Sequence, residues 1–256
     1  MLVVILTSIL IALVFAPLGC LSLWKRYIYF SDGLAHASLL AGSISVVCAM
    51  PLIYSGLIVA ILFAAIIFKF SKISGSNAAI SLTSNLMLAS ALIFTSLNSS
   101  SVNINQLLFG DIISSSQEDL VILLLIIIAT YSFIIFFFRQ INLIVLSRDI
   151  ALVSGIWVKT IELLFLVLLA LAVLFSIKIV GSLLITSFLL VPALAARLAA
   201  TTPSRMIILA TIFAIFANML GLFSSFHLNI PVAPAIIIAQ SSIYLIIYLF
   251  YRKNSH

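Results

Sequence analysis

The chain has 256 residues, 65% hydrophobic and 7% charged, with 12 Lys and Arg against 6 Asp and Glu for a net charge of +6. An average soluble domain is about 25% charged and under half apolar, so this composition excludes a soluble enzyme, a disordered chain and a nucleic-acid-binding domain. The surplus of Lys and Arg points instead to cytoplasmic loops of a membrane protein.

A helix crossing the hydrocarbon core needs roughly 20 residues, so stretches without Asp, Glu, Lys or Arg give the spans in chain order. Residues 1–24 form the first. They hold no Lys or Arg before Lys25, unlike a secretory signal with its basic start, and are expected to stay as a permanent span. Residues 33–68 are too long for one span and break at Met50-Pro51 into two short helices. Residues 73–110 give one helix and then a polar tract from Asn98 to Gln106. Residues 120–138, 163–177 and 179–196 give one helix each, and 206–251 break into two at His227-Leu228-Asn229-Ile230-Pro231. The sum is nine, or eight if a piece near 177–196 is re-entrant. The expected fold is an all-α polytopic membrane protein of eight to nine transmembrane helices, a single domain over residues 1–256.

Basic residues fall in every second connection: Lys25 and Arg26; Lys69 and Lys72; Arg139, Arg148 and Lys159; Arg197 and Arg205; Arg252 and Lys253. The alternate connections hold Lys178 together with the acidic Asp111, Glu118 and Asp119. One consistent threading then puts the N-terminus outside and the C-terminus in the cytoplasm. In the long inner connection 139–160, Ser147 and Asp149 can cap a short helix. Ile150, Leu152 and Val153 give that helix an apolar side, and Gly155 can stop it. It can lie on the bilayer surface or dock a soluble partner, and the residues leave both open. Glu162 is expected at the start of the next span, favoured by the helix dipole, with Lys159 three residues earlier as its partner.

Ionisable side chains at membrane depth are costly and so are functional candidates. Asp32 and His36 are four residues apart, a little over one helical turn, and share one face. Carboxylate and imidazole suit Zn²⁺ or Mn²⁺ and need one or two further ligands. The structural alternatives are an N-cap role for Asp32 and a neutral His36 bonded to a neighbouring helix. Ser43 lies seven beyond His36 and continues its face. Asn77, Ser81 and Asn85 recur at four-residue spacing, a stripe that can line an aqueous path or glue helices together. Pro192 frees backbone groups that only protein or water can satisfy at that depth, so its helix reads as buried or pore-lining. His227 reads as an ordinary loop histidine, and Cys20 and Cys48 as small apolar fillers. No Gly-x-x-x-x-Gly-Lys phosphate loop occurs, so the chain has no ATPase site of that type.

These segments, in this order, resemble the permease subunit of bacterial metal-ion ABC importers of the zinc-uptake type. Phe15-Ala16-Pro17-Leu18-Gly19 with Trp24-Lys25-Arg26 looks like that family's first helix. The stretch from Tyr29 to Leu40, containing Asp32 and His36, is similar to its most recognisable motif. Leu107-Leu108-Phe109-Gly110-Asp111 with Glu118-Asp119-Leu120 looks like its outer segment. Asp149 to Gly155 resembles its coupling helix, and Val180-Gly181-Ser182 through Val191-Pro192-Ala193 with Ala196-Arg197 its Gly…Pro helix. The chain departs from the pattern at Ser31 and Ala233, where Gly is usual, and at Asn85, where zinc-type members often carry His. The resemblance implies a metal-type ABC permease fold and a homodimer in a bacterial inner membrane. A cytoplasmic ABC ATPase would grip the helix at about 147–156 through Asp149, Ile150, Leu152, Val153 and Gly155. An extracytoplasmic metal-binding protein would deliver the ion. Asp32 and His36 would hold transported Zn²⁺, or Mn²⁺ or Fe²⁺, with no permanently bound cofactor and no nucleic-acid partner. Rival classes are a gradient-driven secondary metal transporter, for which no inverted repeat is visible, and a non-transporting scaffold.

Overall fold

In a computed structural model of the chain, residues 2–97, 110–182 and 184–254 are described. The polar tract and Leu107 to Phe109 lie outside these residues. The described chain is helical in ten elements: α1 (Leu2–Lys25), α2 (Phe30–Val47), α3 (Leu52–Ser74), α4 (Ser76–Leu97), α5 (Gln117–Leu146), α6 (Arg148–Val153), α7 (Val158–Val180), α8 (Ile185–Ala199), α9 (Pro203–Leu228) and α10 (Val232–Asn254). Helices are what an apolar chain must form in hydrocarbon, because every backbone N–H and C=O then finds its partner within the segment. Eight are long and apolar enough to cross a membrane, and α8 is shorter at 15 residues. At 1.5 Å per residue α8 reaches about 22 Å, short of a hydrocarbon core of about 30 Å. Eight spans plus this buried short helix agree with the eight to nine expected, and the chain is a multi-pass membrane protein.

The breaks fall where backbone chemistry demands them. Pro51 caps the start of α3. Asn229 adopts the left-handed conformation (φ 52°) that ends α9, and Pro231 follows before α10 begins. Two boundaries differ from expectation. Helix α5 runs on for 30 residues to Leu146, so Arg139 extends an apolar helix and the connection to α7 is only 147–157. His227 sits in the last turn of α9 rather than a loop, edge-on to Phe223 with ring centroids 4.6 Å apart.

Helix α1 is the central post. It packs against α5, α8 and α9, and is almost continuously buried from Ile11 to Leu23. Helix α8 packs on α1, α9 and α10, with Pro192 inside it and buried. The α1–α8 crossing depends on Gly19, where an added Cβ would stand 1.9 Å from the Leu189 carbonyl oxygen. Without a hydrophobic drive between helices in lipid, such close backbone approach supplies the attraction. A polar bond set reinforces it: Asn218 Nδ2 donates to the Ser8 carbonyl at 2.8 Å, and Gln240 Nε2 donates to Asn218 Oδ1 at 3.1 Å, joining α1, α9 and α10. Cys20 is buried and Cys48 exposed, and both are free thiols. By contrast α3, α4, α5 and α10 carry rows of exposed apolar side chains, such as Ile135 and Phe136, suited to lipid.

Gly19→Ala should therefore destabilise the bundle by about 1–3 kcal/mol, the usual cost of overpacking a tight core. A lowered thermal midpoint in detergent would register it. An unchanged midpoint would mean that the crossing has room.

Candidate functional site

Helix α2 starts immediately after a reversal in which Arg26 takes a left-handed backbone (φ 60°). Tyr29 is its N-cap residue and makes no side-chain cap, so Asp32 is not the cap. Asp32 instead lies in the first turn, where the helix dipole favours its charge. Gly33 lets the helix seat closely: a Cβ there would meet Ile80 of α4 at 2.9 Å and Phe63 of α3 at 3.0 Å. The result is tight α2–α4 packing along one line and an open cavity beside it.

That cavity has a volume of about 360 Å³ and is lined by Tyr29, Asp32, Gly33, His36, Asn77, Ile80, Ser81, Ser84 and Asn85. Asp32 and His36 come from α2, and Asn77, Ser81 and Asn85 from one face of α4. The three α4 side chains are exposed, so within this chain they face the cavity rather than joining helices. Ser43 is not among the lining residues. Seven residues beyond His36 restores the angle but lies about 10 Å further along the axis. There Ser43 is buried, and its hydroxyl donates to the Leu40 carbonyl at 2.9 Å. Among the described residues no group of three or more His, Cys, Asp and Glu converges. One chain therefore offers a carboxylate and an imidazole, with amide and hydroxyl oxygens opposite.

The second feature is α6. The Ser147 hydroxyl accepts from the Ile150 N–H at 3.4 Å and caps it. Gly155 (φ 73°) closes it, with Ile156 N–H donating to the Ala151 carbonyl and Gly155 N–H to the Leu152 carbonyl, both at 3.1 Å. Ala151 is buried, which fixes the helix by one face and leaves the other bare. Val153 is 91% exposed, and Asp149, Ile150, Leu152 and Gly155 are exposed with it.

Charge pairing departs from the sequence reading. Glu162 lies in the second turn of α7, beyond the first-turn dipole site. It binds not Lys159 but Lys25 (3.0 Å) and Arg148 (3.1 Å). These partners stand 137 and 14 residues away in sequence, and the buried α1–α7 contact brings Lys25 in. Tyr27 is buried beside them. Burial first, and then the Glu162 carboxylate, push its phenol above the ordinary range, while hydrogen bonds with Ser76 and Ser71 pull it back. At the other end of α7, Lys178 Nζ reaches both Asp119 oxygens at 3.0 and 3.1 Å. Asp119 also closes a capping box with Ser116 at the start of α5. The two residues stand 59 apart in sequence, so no local spacing relates them, and the one signal is Lys178 as the basic residue among acidic neighbours.

The chain is similar to known proteins over nearly its whole length. The high-affinity zinc uptake system membrane protein ZnuB of Buchnera aphidicola subsp. Acyrthosiphon pisum (strain APS) is 30% identical, covering 94% of this chain and 94% of that protein. The manganese import system permease protein ScaB of Streptococcus parasanguinis is 27% identical, covering 98% of this chain and 92% of that protein. A solved structure, PsaBC from Streptococcus pneumoniae in complex with Fab, is similar with a TM-score of 0.83 and 28% identity, over 96% of this chain and 90% of that one. Residues 1–251 match the ABC 3 transport family, and with the same helical fold and near-complete coverage of these relatives, the chain belongs to that family.

Proposed function

We propose that this chain, as one permease domain over 1–256, is the translocating subunit of an ATP-driven divalent-metal importer, with zinc as its cargo. The observation that carries the reading is the α2–α4 cavity, which gathers Asp32, His36, Asn77, Ser81 and Asn85. A carboxylate and an imidazole hold a small divalent cation, and neutral oxygens beside them keep the hold weak enough for release, as passage requires. Two strong ligands fall short of the four that zinc prefers. A second copy of the chain, water or the α4 oxygens would supply the rest. Energy comes from a separate cytoplasmic ATPase seated on α6, whose exposed Ile150, Leu152 and Val153 give it an apolar grip. An extracytoplasmic metal-binding protein delivers the ion to the outer face, and the homodimer alternates between outward and inward states. The N-terminus lies outside and the C-terminus in the cytoplasm of a bacterial inner membrane.

A second reading has manganese as cargo. It is favoured by Asn85, because an amide oxygen beside a carboxylate suits a harder ion than imidazole does, and by the manganese import permease among the relatives.

Uptake of zinc and manganese in competition, by vesicles holding the complete transporter, decides between the two. In that assay Asp32→Asn and His36→Ala should each cut metal uptake by at least about tenfold, since even an outer partner of a metal ligand is worth that much. The ATPase should still co-purify with both. Normal uptake in either would remove the metal-site assignment. Asn85→His adds an imidazole to the cavity and should raise preference for zinc over manganese, and an unmoved ratio would separate α4 from the ion's path. Val153→Asp or Asp149→Arg should weaken ATPase binding without altering the thermal midpoint of the isolated chain. A complex that survives both changes would show that α6 is not the docking element.

A further inference from the structure

One carboxylate joins the proposed docking helix to the end of α1, just ahead of the helix that carries Asp32 and His36. Glu162 on α7 is 9% exposed and is held by Lys25, the last residue of α1, and by Arg148, the first residue of α6. The backbone of α6 packs chiefly on α5 and α7, so this clasp is its tie to α1. The chain reverses directly after Lys25, at Arg26, and Tyr27 follows. The Tyr27 ring packs edge-on to Phe30, the first residue of α2, at 6.4 Å and tilted against Phe165 of α7 at 6.2 Å. Phe30 in turn meets Phe63 of α3 at 5.2 Å. Lys25, Arg148 and Glu162 also border a polar cavity of about 140 Å³ whose wall includes Ser76, the residue before Asn77 of the ion cavity. A displacement of α6 thus has a route of contacts to α2, the wall that carries Asp32 and His36, through an ion pair and then through aromatic contacts.

We propose that Glu162 is a positioning residue for transport. It fastens α6 to the α1–α2 reversal, so that movement of the ATPase against α6 reaches Asp32 and His36 as a shift of α2. The inference rests on the function proposed above.

The test uses the full complex of chain, ATPase and delivery protein in vesicles, with zinc and then manganese as the transported ion, and reads metal moved per ATP hydrolysed. The variants are Glu162→Gln and the double variant Lys25→Met with Glu162→Gln, which leaves no buried Lys25 charge without its partner. Neither residue belongs to α6, so no side chain offered to the ATPase is replaced. Both variants should assemble and hydrolyse ATP, with metal moved per ATP lower by about fivefold or more, the range of a coupling free energy between sites. Lys25→Arg, which keeps the ion pair, should restore the wild-type ratio. An unchanged ratio beside an active wild type overturns the clasp alone. So does loss of assembly in both variants, or an equal fall in hydrolysis and transport, because each describes a merely structural bond. A wild-type complex that moves neither metal overturns the functional reading and this inference with it.

Discussion

Charge in hydrocarbon must be answered by charge, and α7 is held in place by two such answers. Taking one partner from a buried pair strands a charge at high cost, and water reaching a half-exposed partner lowers that cost. Glu162 near the start of α7 takes Lys25 and Arg148, and Lys178 near its end takes Asp119. The two positions are sixteen residues apart, about 24 Å along a helix, close to the thickness of the hydrocarbon layer. The pairs therefore sit toward the two ends of α7, where water still reaches Arg148 and Lys178. They pin α7 to α1 and α6 at one face and to α5 at the other. The segment after Gly110 is drawn in at the same place, with Asp111 N–H donating to the Lys178 carbonyl at 3.1 Å.

Around this pinned helix the bundle divides its labour by residue size. At the α1–α8 crossing, Gly19 lets backbones touch, and the small buried Ala193 continues the contact. At the α2–α4 crossing, Gly33 makes room for the Ile80 and Ser84 side chains, but the polar residues beside it are left open to a cavity. A stripe of Asn and Ser in a membrane helix ordinarily earns its place by bonding a neighbouring helix. Here Asn77, Ser81 and Asn85 remain exposed within the chain, which sets α4 apart from α9, where Asn218 is buried and bonded on both sides.

Helix α6 shows a similar economy. Six residues are too few to hold a helix alone. A Ser147 cap, a Gly155 stop and one buried alanine fix it, while its apolar side chains stay bare. Ion pairing through Arg148 anchors its first residue, and Val153 at its end is 91% exposed.

The linear chain by itself determined whatever depends on neighbours within a turn or two. Charge-free lengths set the spans, and Pro51, Asn229 and Pro231 set breaks because their backbone preferences are local. Four-residue spacing put Asp32 with His36, and Asn77 with Ser81 and Asn85, on shared faces. Helix α5 escaped that logic because Arg139 reads as a span end, although its long stem lets a charge ride at the edge of a continuing helix. Only the tertiary structure decided which faces meet. It joined the two polar faces in one cavity, left Ser43 outside it, and gave Glu162 partners 137 and 14 residues away in place of Lys159. Those choices follow from close packing at Gly33 and at the α1–α7 contact, where shape and desolvation act between segments that no local periodicity relates.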